Sequence, residues 1–230
     1  MAANGLSEQE NRATDENPWT QRRFAREGPG VEFERVQFFC DAVFAIAATL
    51  IAVEIGIPAL KDHNSTHELL DMLGDRAPRI AAFFIAFAVL GFYWAANHRF
   101  TRALGAVSTT YTGFVLVYLA FVAFLPFPAG LMGEYVHNPV AVSAFAVSAA
   151  LVSGMEVALF VVARRQALFR FPLSDDAARW AVIGSLAPVG MFLASVPVMF
   201  VNTWVGIGVW VLNMPVGAAL ERFRPEVFRK

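Results

Sequence analysis

Residues 35–57 read RVQFFCDAVFAIAATLIAVEIGI, and the stretch from Val36 to Pro58 is long enough to cross a bilayer core of roughly 30 Å as one helix. It carries Asp41 near one end and Glu54 near the other. An aspartate at the centre of a bilayer helix costs roughly 2.5–3.5 kcal/mol on insertion scales, so neither acid is expected to face lipid. Wound at about 100° per residue from Ile46, the helix puts Thr49, Leu50, Val53 and Ile57 within roughly 60° of it. Ala45, Ala48, Ala52 and Gly56 gather on the far side, with Asp41 among them. Small residues at every fourth position let a neighbouring backbone approach closely. The wheel predicts a bulky front and a tight back.

The rest of the chain has the same character. Of 230 residues, 57% are apolar and only 16% charged, against the usual quarter, which implies an integral membrane protein. The net charge of −1 gives no reason to expect a nucleic-acid partner. The single cysteine, Cys40, excludes an intramolecular disulfide and a cysteine-based metal site. The first apolar run follows some thirty polar residues and is too long for a signal-peptide core, so it should stay in the mature protein.

Residues 1–30, rich in Glu, Asn, Arg, Gly and Ser, read as a disordered cytoplasmic tail. Residues 31–222 read as six membrane helices, and 223–230 as a cytoplasmic C-terminal tail. After Pro58, Ser65-Thr66-His67-Glu68 is a capping-box pattern that starts a short amphipathic helix on the outer face. Span two runs from about Ile80 to Asn97 and ends in the aromatic and basic cluster Tyr93-Trp94-Ala-Ala-Asn97-His98-Arg99-Phe100. Span three covers roughly Tyr111 to Leu131, distorted at its outer end by Pro126 and Pro128. Asn138-Pro139 starts span four, which contains Glu156. Ser174 caps span five, where Pro188 and Pro197 should kink the helix. Span six, from Trp204, is short and interrupted by Pro215.

The basic residues sort with this layout. With the N-terminus inside, fifteen of the 18 Lys and Arg fall in inner segments, leaving only Lys61, Arg76 and Arg79 outside. The positive-inside rule thus supports six spans with both termini cytoplasmic. Arg35 and Asp41 then occupy the cytoplasmic part of span one, with Ile46 about 16 Å beyond Arg35, near mid-membrane. Asp41 points into its own subunit, at the level of Trp94, Asn97 and His98 on span two. An indole, an amide or a protonated imidazole can each donate to a carboxylate. Such a cluster is either a packing network or a device that fixes the helix. The Ile46, Leu50, Val53 stripe is equally two-sided. On periodicity it faces lipid or core; it matters only where several copies of the helix meet around an axis.

The residues Arg35-x-x-x-Phe39-Cys40-Asp41, followed by Ala-Val-Phe-Ala-Ile-Ala-x-Thr-Leu, resemble the first-helix signature Arg-x3-Phe-Ser-Asp of the endosomal/lysosomal potassium-channel family and its bacterial homologues. The six-span layout and the aromatic-His-Arg-x-Phe end of span two are similar too. Cys40 in place of serine is the one departure, and a thiol is the weaker hydrogen-bonding group. The resemblance implies an all-α homotetramer whose first helices line the pore, without a Thr-Val-Gly-Tyr-Gly carbonyl filter; that string is absent here. It implies the narrowest ring at Ile46, a constriction continued by Leu50 and Val53, and a selectivity layer at Thr49, which would hold potassium transiently. The anchoring network of the pore helix would comprise Arg35, Phe39, Cys40, Asp41, Trp94, Asn97 and His98.

The function expected is therefore a leak-like potassium-selective channel of a bacterial inner membrane, with lipid and potassium ions as partners, no cofactor and no enzymatic chemistry. Hydrophobic constrictions gate by dewetting, and apolar rings cannot replace a hydration shell, so selectivity should be weaker than in a carbonyl filter. The rival reading is a proton-coupled secondary transporter that uses Asp41, Glu54, His98 and Glu156. A membrane scaffold without activity is the third.

Overall fold

The computed structural model describes residues 22–25, 32–57, 59–60, 62 and 64–211. In chain order these form strand β1 (Arg23–Ala25), helices α1 (Glu32–Val53), α2 (Thr66–Asp75) and α3 (Ala77–Arg102), and strand β2 (Ala106–Ser108). Helices α4 (Thr109–Phe124), α5 (Pro126–Glu134), α6 (Pro139–Arg165), α7 (Asp175–Met199) and α8 (Thr203–Val211) follow. Five segments are long and apolar enough to cross a membrane: α1, α3, α4 with α5, α6 and α7. Pro215 and the C-terminal tail, like the end of span six, lie outside the described residues.

Helix ends follow local chemistry. Ser65 accepts from Glu68 N at 3.2 Å, while the Glu68 carboxylate accepts from Asp62 N at 3.1 Å, so the capping box closes one turn early. Ser108, Asn138 and Ser174 cap α4, α6 and α7 by accepting from Tyr111, Val140 and Ala177 amides. Proline at 126 lacks the amide that would continue the ladder, and the third span breaks at Leu125 into α4 and α5. In contrast, α7 runs unbroken through Pro188 and Pro197.

Helix α1 stops at Val53, short of the expected Pro58. Gly56 takes the left-handed conformation at φ 65°, and Arg76 Nη1 donates to the Ile55 carbonyl at 2.7 Å. A glycine in that conformation and a satisfied terminal carbonyl are what end a helix. Ile57 is consequently 94% exposed beyond the helix and does not extend the Ile46 stripe.

Helix α1 packs against α3, α4 and α5; α6 then joins α4 and α5 to α7, and α8 lies on α7. At one end of this bundle sits a small clasp. β1 pairs antiparallel with β2, Phe24 opposite Val107, so Arg23–Ala25, which fell within the expected disordered tail, forms an ordered strand. Gly105 N donates to Leu168 O at 2.8 Å, and an Arg23 guanidinium nitrogen donates to Ala167 O at 2.8 Å. The N-terminal segment, the α3–α4 connection and the α6–α7 connection therefore share one side of the molecule.

Candidate pore-lining site

Three faces of α1 meet three environments. The buried face is Phe33, Cys40, Phe44, Ala47 and Ile51, spaced seven, four, three and four residues apart as one helical stripe. The front is exposed: Ile46 58%, Leu50 44% and Val53 70%. On this face Thr49 donates its hydroxyl hydrogen to the Ile46 carbonyl at 2.8 Å, which leaves its oxygen as an acceptor only. The third face holds Ala45 and Ala52, both exposed, and the half-buried Ala48 and Asp41. The tight back expected from the wheel is thus not the buried one. Branched and aromatic side chains interlock with α3 and α4 over more contacts than alanines can make, and they turn the helix about a quarter-turn from the small-residue row.

The carboxylate of Asp41 sits on this third face and accepts from Trp94 Nε1 at 2.9 Å. His98 stacks on the Trp94 ring, centroids 5.5 Å apart, and among the described residues makes no ion pair with Asp41. The structure therefore joins Asp41 to Trp94 directly and to His98 only through that ring. Asn97 and Cys40 are buried elsewhere, in a small cavity shared with Gln37, Thr101 and Tyr111. The Tyr111 hydroxyl is buried there without a hydrogen-bond partner among the described residues. Phe39 is 50% exposed and Arg35 pairs with Glu32 at 3.7 Å on the surface. By helical spacing both lie within about 20° of Ile46, on the front. The seven residues grouped as one anchoring network thus fall into a carboxylate–indole pair with His98 stacked on the indole, the buried Cys40 and Asn97, and the exposed Arg35 and Phe39 on the front of α1.

Two further clusters lie away from the exposed stripe and the Asp41–Trp94 pair. At the end of the bundle away from the clasp, Arg79 pairs with Glu134, and Glu54 packs over Gly130, where a Cβ would come within 2.5 Å of its carboxylate oxygen. Inside the bundle, Tyr118 donates to Glu156 Oε1 at 3.2 Å, and the Tyr93 hydroxyl bonds the Ala149 carbonyl at 2.7 Å and Ser153 Oγ at 2.9 Å. Glu156 was visible as a charged residue in an apolar span. Its tyrosine partners carried no such signal, because a tyrosine in a membrane helix ordinarily marks an interface.

An exposed apolar front on a membrane helix, with a carboxylate tied to an indole beside it, is the geometry that relatives can be asked about. The family model that fits residues 35–126 is that of the endosomal/lysosomal potassium channel TMEM175. Over that stretch the chain is similar to the TMEM175 family. A potassium channel of Chamaesiphon minutus is 29% identical over 186 residues, which are 77% of this chain and 89% of that protein. The endosomal/lysosomal proton channel TMEM175 of Rattus norvegicus is 32% identical over 111 residues, 46% of this chain but only 22% of the rat protein. The crystal structure of a lysosomal potassium-selective TMEM175 homologue from Chamaesiphon minutus superposes with a TM-score of 0.70 at 26% identity, covering 83% of this chain and 99% of the other. The resemblance first carried by Arg35, Phe39 and Asp41 thus extends to the fold. The TMEM175 family consists of ion channels, not enzymes, and the transporter reading gains no support from these relatives.

Proposed function

We propose that this chain is the subunit of a potassium-selective, leak-like channel in which four copies bring the front of α1 to a common axis. The observation that carries the reading is the row Ile46, Leu50 and Val53, left exposed on a helix whose opposite side is fully packed. In the assembly this row forms successive apolar rings that exclude water until the pore widens. Thr49, its hydroxyl hydrogen committed to Ile46, turns only lone pairs outward, which suits a partly dehydrated cation. The Asp41–Trp94 bond fixes the rotation of α1 about its own axis. Ala45 and Ala52, exposed and small, let the neighbouring copy approach closely.

Six spans with both termini cytoplasmic fit the same reading. The clasp sets β1 beside the two connections that the charge distribution assigns to the inside. The membrane is a bacterial inner membrane, and permeation needs no cofactor. Flux of potassium, sodium and protons into liposomes carrying the purified protein tests the proposal. Potassium flux exceeding sodium flux, and a leak raised with lost selectivity in Ile46→Asn, are expected. No potassium conductance, or an Ile46→Asn protein indistinguishable from wild type, overturns it.

A further inference from the structure

Behind α1, on the side away from Ile46, three helices contribute to one buried polar chain. Phe44 lies about 160° around the helix from Ile46, directly at its back. Its ring packs on Tyr118 of α4, centroids 6.1 Å apart, with Phe44 3% exposed and Tyr118 fully buried. Tyr118 donates to Glu156 of α6, and one turn away on α6 Ser153 bonds Tyr93 of α3. Glu156 is only partly buried within the subunit, yet it stands nine residues from the inner end of α6, some 13 Å at 1.5 Å per residue, and so within the membrane-spanning part. An intramembrane acid is costly and is retained where it has a task.

We infer that Glu156 is a proton-binding site of the subunit body, and that its occupancy reaches the constriction through Tyr118 and Phe44. The step is a simple protonation: a carboxylate accepts the Tyr118 hydrogen bond, takes a proton from the aqueous phase and becomes a neutral carboxylic acid. A charge-assisted hydrogen bond is roughly twice as strong as a neutral one, so the ionised form holds the Tyr118 ring more firmly against Phe44. Loss of the charge loosens the support directly behind Ile46.

The other groups around the acid are few. Tyr118 comes from α4; Tyr93 and the cation Arg99 come from α3, Arg99 acting on the carboxylate through space. The facing stretch of α7 from Ala181 to Met199, and α8, carry no ionisable side chain. Glu134, the acid on α5, is at the far outer end and paired with Arg79. Glu156 is therefore the group whose charge can change within this chain without a second acid to compensate.

The inference rests on the channel reading only for its flux readout, so a second measurement stands apart from it. Infrared difference spectra of the solubilised protein between acidic and alkaline pH, less the same spectra of Glu156→Gln, should leave one carboxylic C=O component that the other acids of the chain do not supply and the variant lacks. Its absence from the wild type, or its persistence in the variant, overturns the site. In liposomes, wild-type potassium flux should change roughly five-fold or more across the same titration, the lower end of ordinary site-to-site coupling. Glu156→Gln should behave at every pH as the wild type does when acidic, and Tyr118→Phe should keep the infrared band while flattening the flux profile. A wild-type flux independent of pH, or a Glu156→Gln profile that still titrates, overturns the link to the constriction. Absence of flux altogether, with the band present, counts against the channel and leaves the proton site standing.

Discussion

Phe44 and Ile46 are two residues apart on one helix and nearly equal in hydropathy, yet Phe44 is 3% exposed and Ile46 58%. In water that contrast would separate core from surface. In a bilayer it does not, because lipid covers an isoleucine as readily as protein does, and what differs is shape. The back of α1 is filled by aromatic and branched side chains interlocked with α3 and α4. The front is left largely uncovered by the described residues of its own subunit and is free to meet copies of itself.

Substitutions should separate the two sides in size as well as kind. Phe44→Ala removes a ring from a packed interior and should cost about 3–5 kcal/mol, read as a fall in the thermal midpoint in detergent. Gly130→Ala forces a Cβ against Glu54 and should cost about 1–3 kcal/mol by the same assay, with Glu54→Ala, which removes the carboxylate, restoring part of it. Trp94→Phe removes the indole donor to Asp41 and should cost about 1.5–3 kcal/mol, with Asp41→Asn smaller because an amide oxygen still accepts. Ile46→Ala should stay within about 0.5 kcal/mol of wild type while changing flux, and a large loss of stability there would place Ile46 in a packed interior and erase the contrast.

Much of this was legible in the chain. Apolar runs, the Ser65, Asn138 and Ser174 caps and the Arg35–Asp41 motif each rest on spacing, which a sequence displays. The matching depth of two helices placed Trp94, Asn97 and His98 beside Asp41, but depth alone did not choose among them, and the direct partner is Trp94 rather than His98. The rotation of α1 was misjudged because small residues were given the buried side, whereas Phe44 and Ile51 gain more by taking it. Helix α1 ended early because Gly56 and Arg76, twenty residues apart, cooperate to stop it. Strand β1 was missed because its partner, Ala106–Ser108, lies more than eighty residues away in a short apolar turn with no strand pattern of its own.

That strand also sets a mechanical limit. Ala25 is hydrogen-bonded into the clasp and Glu32 begins α1, so at most seven peptide links, about 25 Å fully drawn out, separate them. A connection of that length lets the N-terminal end of α1 swing only so far before it tugs on the connection between α3 and α4. Anything that grips this strand would hold a lever arm attached to the helix itself.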